Sequence, residues 1–426
     1  MPVRGGHGMP DRPGSLPLAE LVAEQRTRLS MSLAAVARRM GTAADREGSY
    51  SGASRQTIHQ IEQGRIPHPD SLRWLAVALE LPVQQIAAAA REQRMKRRQA
   101  LRGAVAFGGA LLSERLTYAL DQRGRLDAQL VSDMAGITAG YRRAYRNLSV
   151  RVLRPQVRGQ RAILTELIRR SGSPSLRDSL VATLGETEAL LGSMLFLDLG
   201  SFDRAAHHLH RALEAARHAG ARELEGYILG GMTFYACYGG DQPDALRLIK
   251  RARETAGDAA SPITVGWLAA VDAEMQARAG SAAAAFRALD DAADALGRVD
   301  DPMSYEWIGI GVFNQAKLRS YTGLCNLLLH RPQKAVDELT KALRDLDPAS
   351  PKHRCTAMAD RATGLIQLGE LVEGCREASD SLSLAIELRH AANAERVRSL
   401  RSHLNPLNGN SALKRLDDQL RIVTRW

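Results

Sequence analysis

Between Leu18 and Ala90 the apolar residues recur at helical spacing, in short runs divided by capping residues, glycines and prolines. Leu18, Leu21, Val22, Gln25 and Leu29 mark a first helix. Leu33, Val36, Ala37 and Met40 mark a second, with Ser32 placed to cap it and Gly41 placed to stop it. Ser54 heads a third, in which Ile58 and Ile61 make an apolar side and Arg55, Gln56, His59, Gln60 and Gln63 a polar one. Gly64 ends it, with Pro67 and Pro69 beyond. Leu72, Leu75, Ala76 and Leu79 mark a fourth helix, and Ile86 to Ala90 a fifth. Five short helices suffice to bury one small core.

The second half carries a different pattern, an internal repeat. A Gly is followed by Ala five residues on and by another Ala seven residues later, at Gly200/Ala205/Ala212, Gly240/Ala245/Ala252 and Gly280/Ala285/Ala292. The pattern recurs, altered, at His330/Ala335/Ala342 and Gly369/Gly374/Ser381. The starts thus fall at positions 200, 240, 280, 330 and 369, with the third interval the longest. Each unit reads as a helix ending at the Gly, a tight turn, and a second helix whose small residues allow close packing. No such unit can bury its apolar face alone, so neighbours must stack into a superhelix. Few segments alternate with period two, and the chain is expected to be all-α. The expected division is a disordered tail over 1–15, a five-helix domain over 16–92, a basic helical bridge over 93–180 and a repeat domain over 181–426.

Charge sharpens this division. The chain of 426 residues carries a formal net charge of +11. Residues 1–102 hold 16 Lys and Arg against 9 Asp and Glu, residues 103–170 hold 12 against 5, and residues 171–426 hold 30 against 33. The excess is confined to positions 1–170, where it can neutralise phosphates and release counterions. No lipid anchor accompanies it. The longest charge-free run, Gly226–Gly240, is shorter than the roughly 20 residues that span a bilayer, so no membrane partner is expected. Arg97-Arg98 lies behind a folded segment and is not read as an export signal. Cys237, Cys325, Cys355 and Cys375 show no paired spacing, as in reduced cytoplasmic proteins. His207, His208 and His210 lack Cys or carboxylate partners at ligand spacing and read as a solvated helix face, leaving no metal or cofactor site. Phosphate-loop, nucleophile-elbow, His-Glu-x-x-His and dinucleotide motifs are absent, so no catalytic residues and no enzyme are expected.

Residues 18–90 resemble the helix-turn-helix family of phage repressors and Cro, the XRE family. The resemblance is carried by the capped third helix, Ile58, Ile61, Glu62-x-Gly64 and the Pro-bounded fourth helix. It implies that Arg55, Gln56, His59 and Gln60 meet base edges in duplex DNA, where Arg and Gln pair bidentately with guanine and adenine. It implies that Ser54, Thr57, Arg65 and His68 meet the backbone, and that Arg26 pairs with Glu62. Two departures stand out. Some ten residues are inserted between Gly41 and Ser54, and Leu33 stands where the family often has Gln. The small-residue positions of the second half resemble tetratricopeptide repeats. Their period is longer than the roughly 34 residues usual for such repeats, and longer HEAT-type pairs share the same features. The expected fold is thus a five-helix DNA-binding domain followed by a right-handed α-solenoid of tetratricopeptide-like helical hairpins.

Taken together, the arrangement resembles homodimeric cytoplasmic transcription regulators with a repeat sensor. Such a resemblance implies double-stranded DNA and a peptide, small-molecule or protein effector as partners; the alternative is a protein-binding scaffold with weak DNA binding. Eight aromatics fall in two expected first helices, Tyr227, Phe234, Tyr235 and Tyr238 in one and Tyr305, Trp307, Phe313 and Tyr321 in the other. Asn314, Lys317 and Asn326 share the second of these. Tyr227, Tyr235, Asn314, Lys317 and Tyr321 are therefore the candidate effector groove, with Asn side chains able to hold an extended backbone. A plain aromatic core is the competing reading.

Overall fold

The computed structural model describes residues 18–47, 53–62, 67, 69–90, 116, 120, 126–257, 259–299, 307–402, 404 and 411–423. The expectations on the tail over 1–15, on Gln63, Gly64, Arg65, His68 and Tyr305, and on most of 93–125 fall outside these residues. Among the described residues every regular element is helical. The chain divides into two compact units, Met1–Arg102 and Gly103–Trp426.

The first unit holds α1 (Leu18–Arg28), α2 (Leu33–Asp45), α3 (Arg55–Glu62), α4 (Pro69–Ala78) and α5 (residues 83–90). Its core is the set marked by the helical spacing: Leu18, Val22, Val36, Met40, Ile58, Ile61, Leu75, Leu79 and Ile86 are all buried. Ser32 caps α2 by accepting from Ala35 N–H at 3.2 Å. Gln25 is also engaged inside, its amide donating to the Leu79 carbonyl at 3.0 Å. One expectation fails here. Helix α2 does not stop at Gly41 but runs on to Asp45, because Ala43 and Ala44 extend the apolar stripe and Ala44 is fully buried. That burial and the good helix formers around it outweigh the roughly 1 kcal/mol that an interior Gly costs. The inserted stretch is correspondingly shorter, since its first residues belong to α2.

In the second unit, α6 (Ala128–Tyr145) and α7 (Val150–Arg170) lead into α8 (Pro174–Ser193), which ends in a π-helical turn, Met194–Asp198. There follow α9 (Phe202–His218), α10 (Arg222–Tyr238), α11 (Gln242–Ala256), α12 (Pro262–Arg278) and α13 (Ala282–Gly297). Next come α14 (Gln315–Leu328), α15 (Pro332–Asp345), α16 (Pro351–Gln367), α17 (Leu371–Leu388), α18 (Ala391–Ser402) and α19 (Ser411–Val423). Helices pair as hairpins α8/α9, α10/α11, α12/α13, α14/α15 and α16/α17, and each hairpin packs on the next. The unit is a tetratricopeptide-like array.

The five repeat starts are its turns. Gly200, Gly240, Gly280, His330 and Gly369 all adopt positive φ, between 57° and 89°. The left-handed conformation suits Gly and explains why four of the five positions carry it. The small residues that follow are the hairpin seams: Ala205, Ala212, Ala245, Ala252, Ala285, Ala292, Ala335 and Ala342 are fully buried. Gly226 on α10 has the same use, since a Cβ there would sit 2.7 Å from the Ala256 Cβ and 2.9 Å from the Ala252 carbonyl oxygen.

The array begins earlier than the expected boundary at 181. Helices α6 and α7 pack on α8 through buried Met134, Ile137, Leu153, Val157, Ile163 and Leu164, so residues 128–180 are core, not a bridge. Pro174–Asp198 is long and apolar enough to cross a membrane by length and composition, but it is mostly buried within this unit, as a core helix is.

Candidate functional site

Two places gather polar chemistry, one on each unit. On the first, α3 is anchored from beneath by Ile58 and Ile61, both fully buried. Its start is fixed by a reciprocal cap: Ser54 Oγ accepts from Thr57 N–H at 3.1 Å, and Ser54 N–H donates to Thr57 Oγ1 at 3.2 Å. Its end is tied to α1. Arg26 donates from Nε to Glu62 Oε1 at 2.5 Å and from Nη2 to Oε2 at 3.2 Å, while Nη1 reaches the Met31 carbonyl at 3.1 Å. The Glu62 hydrogen bond raises the Arg26 pKa above its usual value. Arg55, Gln56 and His59 are left exposed on the opposite side, with Gln60 half-buried beside them. Ser54 and Thr57 use their hydroxyls in the cap.

The second place is a chamber inside the repeat array. The first helices of the hairpins face inward and the array curves until its last helices meet its first. Lys352 on α16 holds Asp198, at the end of the π-helical turn, at 3.0 Å. Ala391, at the start of α18, lies against Gly200, and Arg396 on α18 reaches Tyr238 Oη on α10 at 3.4 Å. A cavity of about 210 Å³ opens there, and its wall comes from α6, the first helices and the 307–313 loop, with no residue from α9, α11, α13, α15 or α17. A second cavity of about 630 Å³ adjoins it and shares Tyr238, Leu324, Asp360 and Arg396.

That loop corrects the sequence reading. Trp307 and Phe313 do not lie on a helix, because α14 begins only at Gln315. Residues 307–313 alternate Gly309 and Gly311 with β-branched residues, and Gly311 has a φ of 80°, which a helix cannot use. The segment enters the chamber. Trp307 packs on Trp267 and Tyr227, with ring centroids 6.3 Å away in both cases. Ile310 N–H donates to Tyr227 Oη at 3.2 Å. The loop is the extra length behind the long interval between the repeat starts Gly280 and His330. A Cβ on Gly311 would stand 2.8 Å from the His353 ring.

The expected groove residues divide accordingly. Tyr227, Lys317 and Tyr321 line the chamber. Asn314 does not; it caps α14, its Oδ1 accepting from Lys317 N–H at 3.0 Å. Tyr235 packs against Phe196 and Phe202 instead, with centroids at 6.1 and 6.0 Å. Asn326 is buried outside the wall and donates to the Thr322 carbonyl at 2.8 Å. Sequence reasoning missed Arg146, Asp198, Trp267, Lys352, His353, Asp360, His390 and Arg396. The Lys352–Asp198 pair joins residues 154 positions apart, and no local spacing announces it.

Electrostatics inside the chamber follow from burial. It pushes the Asp198 carboxyl up to about 6 against the pull of Lys352 and lowers Lys317 to about 8. The Tyr227 hydroxyl rises to about 12 for the same reason. Burial, followed by the charges of Lys317, Lys352 and Arg146 and by His390, drives His353 well below the usual histidine range. His390 falls to about 3, and its Nδ1 accepts from Asn393 N–H at 3.2 Å at the start of α18.

His208 is likewise committed rather than solvated. Its Nδ1 lies 2.5 Å from Glu188, which also accepts from Arg161 at 2.6 Å and from Arg211 at 2.9 Å. Against the opposing effect of burial, these partners hold Glu188 down to about 2. No cluster of metal-ligating side chains occurs among the described residues, and all four cysteines are unpaired thiols.

No family model and no curated protein matches the chain. Among solved structures it is similar to BtubC (BKLC) from P. vanneervenii, at 14% identity and a TM-score of 0.36 over 60% of this chain and 94% of that one. It is similar to a Signal Transduction ATPase with Numerous Domains protein with a tetratricopeptide repeat sensor from Pyrococcus horikoshii. There the identity is 11% and the TM-score 0.41 over 87% of this chain; the match spans about half of that protein, 54%. The tetratricopeptide domain of P58(IPK) matches at 12% identity and a TM-score of 0.20 over 96% of this chain and 97% of that one.

Proposed function

We propose that the chain is a homodimeric, cytoplasmic transcription regulator of the XRE helix-turn-helix type, reading double-stranded DNA through α3 and answering to an effector held in the chamber. The observation that carries the DNA reading is the mounting of α3. Its apolar side is sealed, its two ends are fixed by the Ser54–Thr57 cap and the Arg26–Glu62 pair, and Arg55, Gln56 and His59 are left outward together. A rigid helix presenting Arg and Gln is the arrangement that direct readout in the major groove requires. The positive charge carried by positions 1–170 supports it.

The test is selection of bound genomic fragments by the full-length protein, followed by Arg55→Ala on the motif obtained. The substitution should cost about 1–3 kcal/mol and relax preference at one base pair. Unchanged affinity and unchanged preference would remove α3 as the reading helix.

A second reading is a helical-repeat scaffold that binds a protein partner and holds DNA weakly. It is favoured by the distribution of built polar sites: the chamber lies in the repeat unit, whereas α3 carries a single fixed positive charge, Arg55, on its described exposed side. The ratio of affinities for selected and random duplex separates the two, since specific regulators reach ~10³ or more.

A further inference from the structure

We infer that the chamber takes a small organic anion, its apolar body against Trp267, Trp307 and Tyr321 and its carboxylate beside Lys317 and Arg146. This rests on the proposal that the chamber is the effector site, and it adds the chemical class of the effector.

Most ionic groups of the chamber are already paired. Lys352 holds Asp198 at 3.0 Å, Arg396 holds Asp360, and Glu274 is held by Arg278 at 2.8 Å. Lys317 and Arg146 are the exceptions. Both line the cavity, and neither has a carboxylate within ion-pair distance among the described residues. The ammonium of Lys317 lies over the face of Tyr321, 5.6 Å from the ring centroid, and feels the carboxylates of Asp360 and Glu274 only through space. Arg146 keeps a buried Nε–H without an acceptor, and so does the indole Nε1 of Trp307. Both cations line the same cavity as the His353 ring, across which their charges act.

Unpaired buried cations and orphaned donors cost free energy for as long as they stay unmet. An entering oxyanion supplies the missing acceptors and the opposite charge, and a cationic ligand would add to the repulsion. The remaining wall is aromatic: Tyr227, Trp267, Trp307 and Phe313 form one run of ring contacts with centroids 5.0 to 6.3 Å apart. A flat or branched apolar body fits such a wall. The cavity of about 210 Å³ suits a small molecule with its apolar body among the rings.

The test uses the full-length protein and three matched panels of about four to ten carbons, straight-chain and phenyl-substituted: monocarboxylates, their primary amides and the corresponding primary amines, with dissociation constants from calorimetry. The carboxylates should bind roughly tenfold or more tightly than their amides, and the amines should not bind. Lys317→Met should weaken the carboxylates by roughly tenfold or more, leave the amides unchanged and raise the melting temperature of the ligand-free protein. Arg146→Gln should weaken the same ligands, with partial rescue in Arg146→Lys. Amides that bind as tightly as acids, amines that bind, or a Lys317→Met protein that is less stable with unchanged acid affinity would each overturn the inference, while leaving the chamber a ligand site. Failure of all three panels to bind would overturn the inference together with the effector reading beneath it.

Discussion

In the first unit the polar side chains left for a partner stand outside, on α3; in the repeat unit they stand inside, around a chamber. Length explains the difference. The described part of the first unit commits Leu18, Met40, Ile58, Ile61 and Leu79 to a single core and has no room for a second interior. Arg55, Gln56 and His59 must therefore act at the surface. The repeat unit has no such limit. Its second helices form the seams with small residues, and its first helices and the 307–313 loop are left to face one another across the middle. A surface site reads a large rigid partner in competition with water. A concave site lined by buried groups desolvates a small one in part and makes each unpaired charge count for more.

The contrast is broken most directly by cutting the core of one unit. Ile61 is fully buried under α3, and Ile61→Ala should cost about 2–5 kcal/mol. Denaturant unfolding followed by circular dichroism should then show an early transition from the first unit, with the main transition of the repeat unit in place. A main transition that moves equally would mean that the two units unfold as one, and that the outward and inward sites are not separable by stability.

Acid sharpens the contrast, because the buried histidines belong to the chamber. His390 titrates near 3 instead of 6.5, and His353 is shifted the same way. The unfolded chain therefore binds protons that the folded one refuses, and stability present above pH 6.5 is lost as pH falls from there towards 3. The slope is at most about 1.4 kcal/mol per pH unit for each histidine. Asp198 works against it: its carboxyl is raised to about 6, so protonation favours the folded state between that value and its usual 3.8. His390→Asn keeps a side-chain acceptor for the Asn393 N–H and removes the titration. Urea midpoints measured between pH 4.5 and 6.5 should vary less in that variant than in the parent. Equal slopes would show that His390 is not held neutral in the folded state.

How far these sites are legible in the sequence follows from whether their signal is local. The repeat turns are legible because a left-handed residue at each repeat start writes Gly into the sequence, and the seams because close packing writes Ala five and twelve residues later. The outward side of α3 is legible because Ile58 and Ile61 fix which way an eight-residue helix faces. The chamber is legible in its aromatic grouping, of which Tyr227, Phe234, Tyr238, Trp307, Phe313 and Tyr321 line it, and at Lys317. Asp198, Lys352 and Arg396 meet only once the array has curved upon itself, and a first-helix pattern says nothing about how far it curves. One signal is present and goes unused. The long interval from Gly280 to His330 marks an insertion, and Trp307-Ile-Gly-Ile-Gly-Val-Phe313 has glycines that argue against a helix.

Gly41 misleads for the opposite reason, a local signal overridden by packing, and it gives the smallest effect. A Gly followed by Thr, Ala and Ala ends a helix when its φ is positive. Here α2 continues to Asp45, Gly41 is not among the glycines of positive φ, and Ala44 is buried behind it. In a right-handed helical conformation Gly carries only its entropic disadvantage, so Gly41→Ala should stabilise the first unit by roughly 0.5–1 kcal/mol. If Gly41 were instead a left-handed terminator, the same substitution would destabilise by more than about 1 kcal/mol. The sign of the shift in the first-unit unfolding transition therefore decides where α2 ends. It also decides how much chain is left to connect α2 to α3, and with it how rigidly the outward side of α3 is carried.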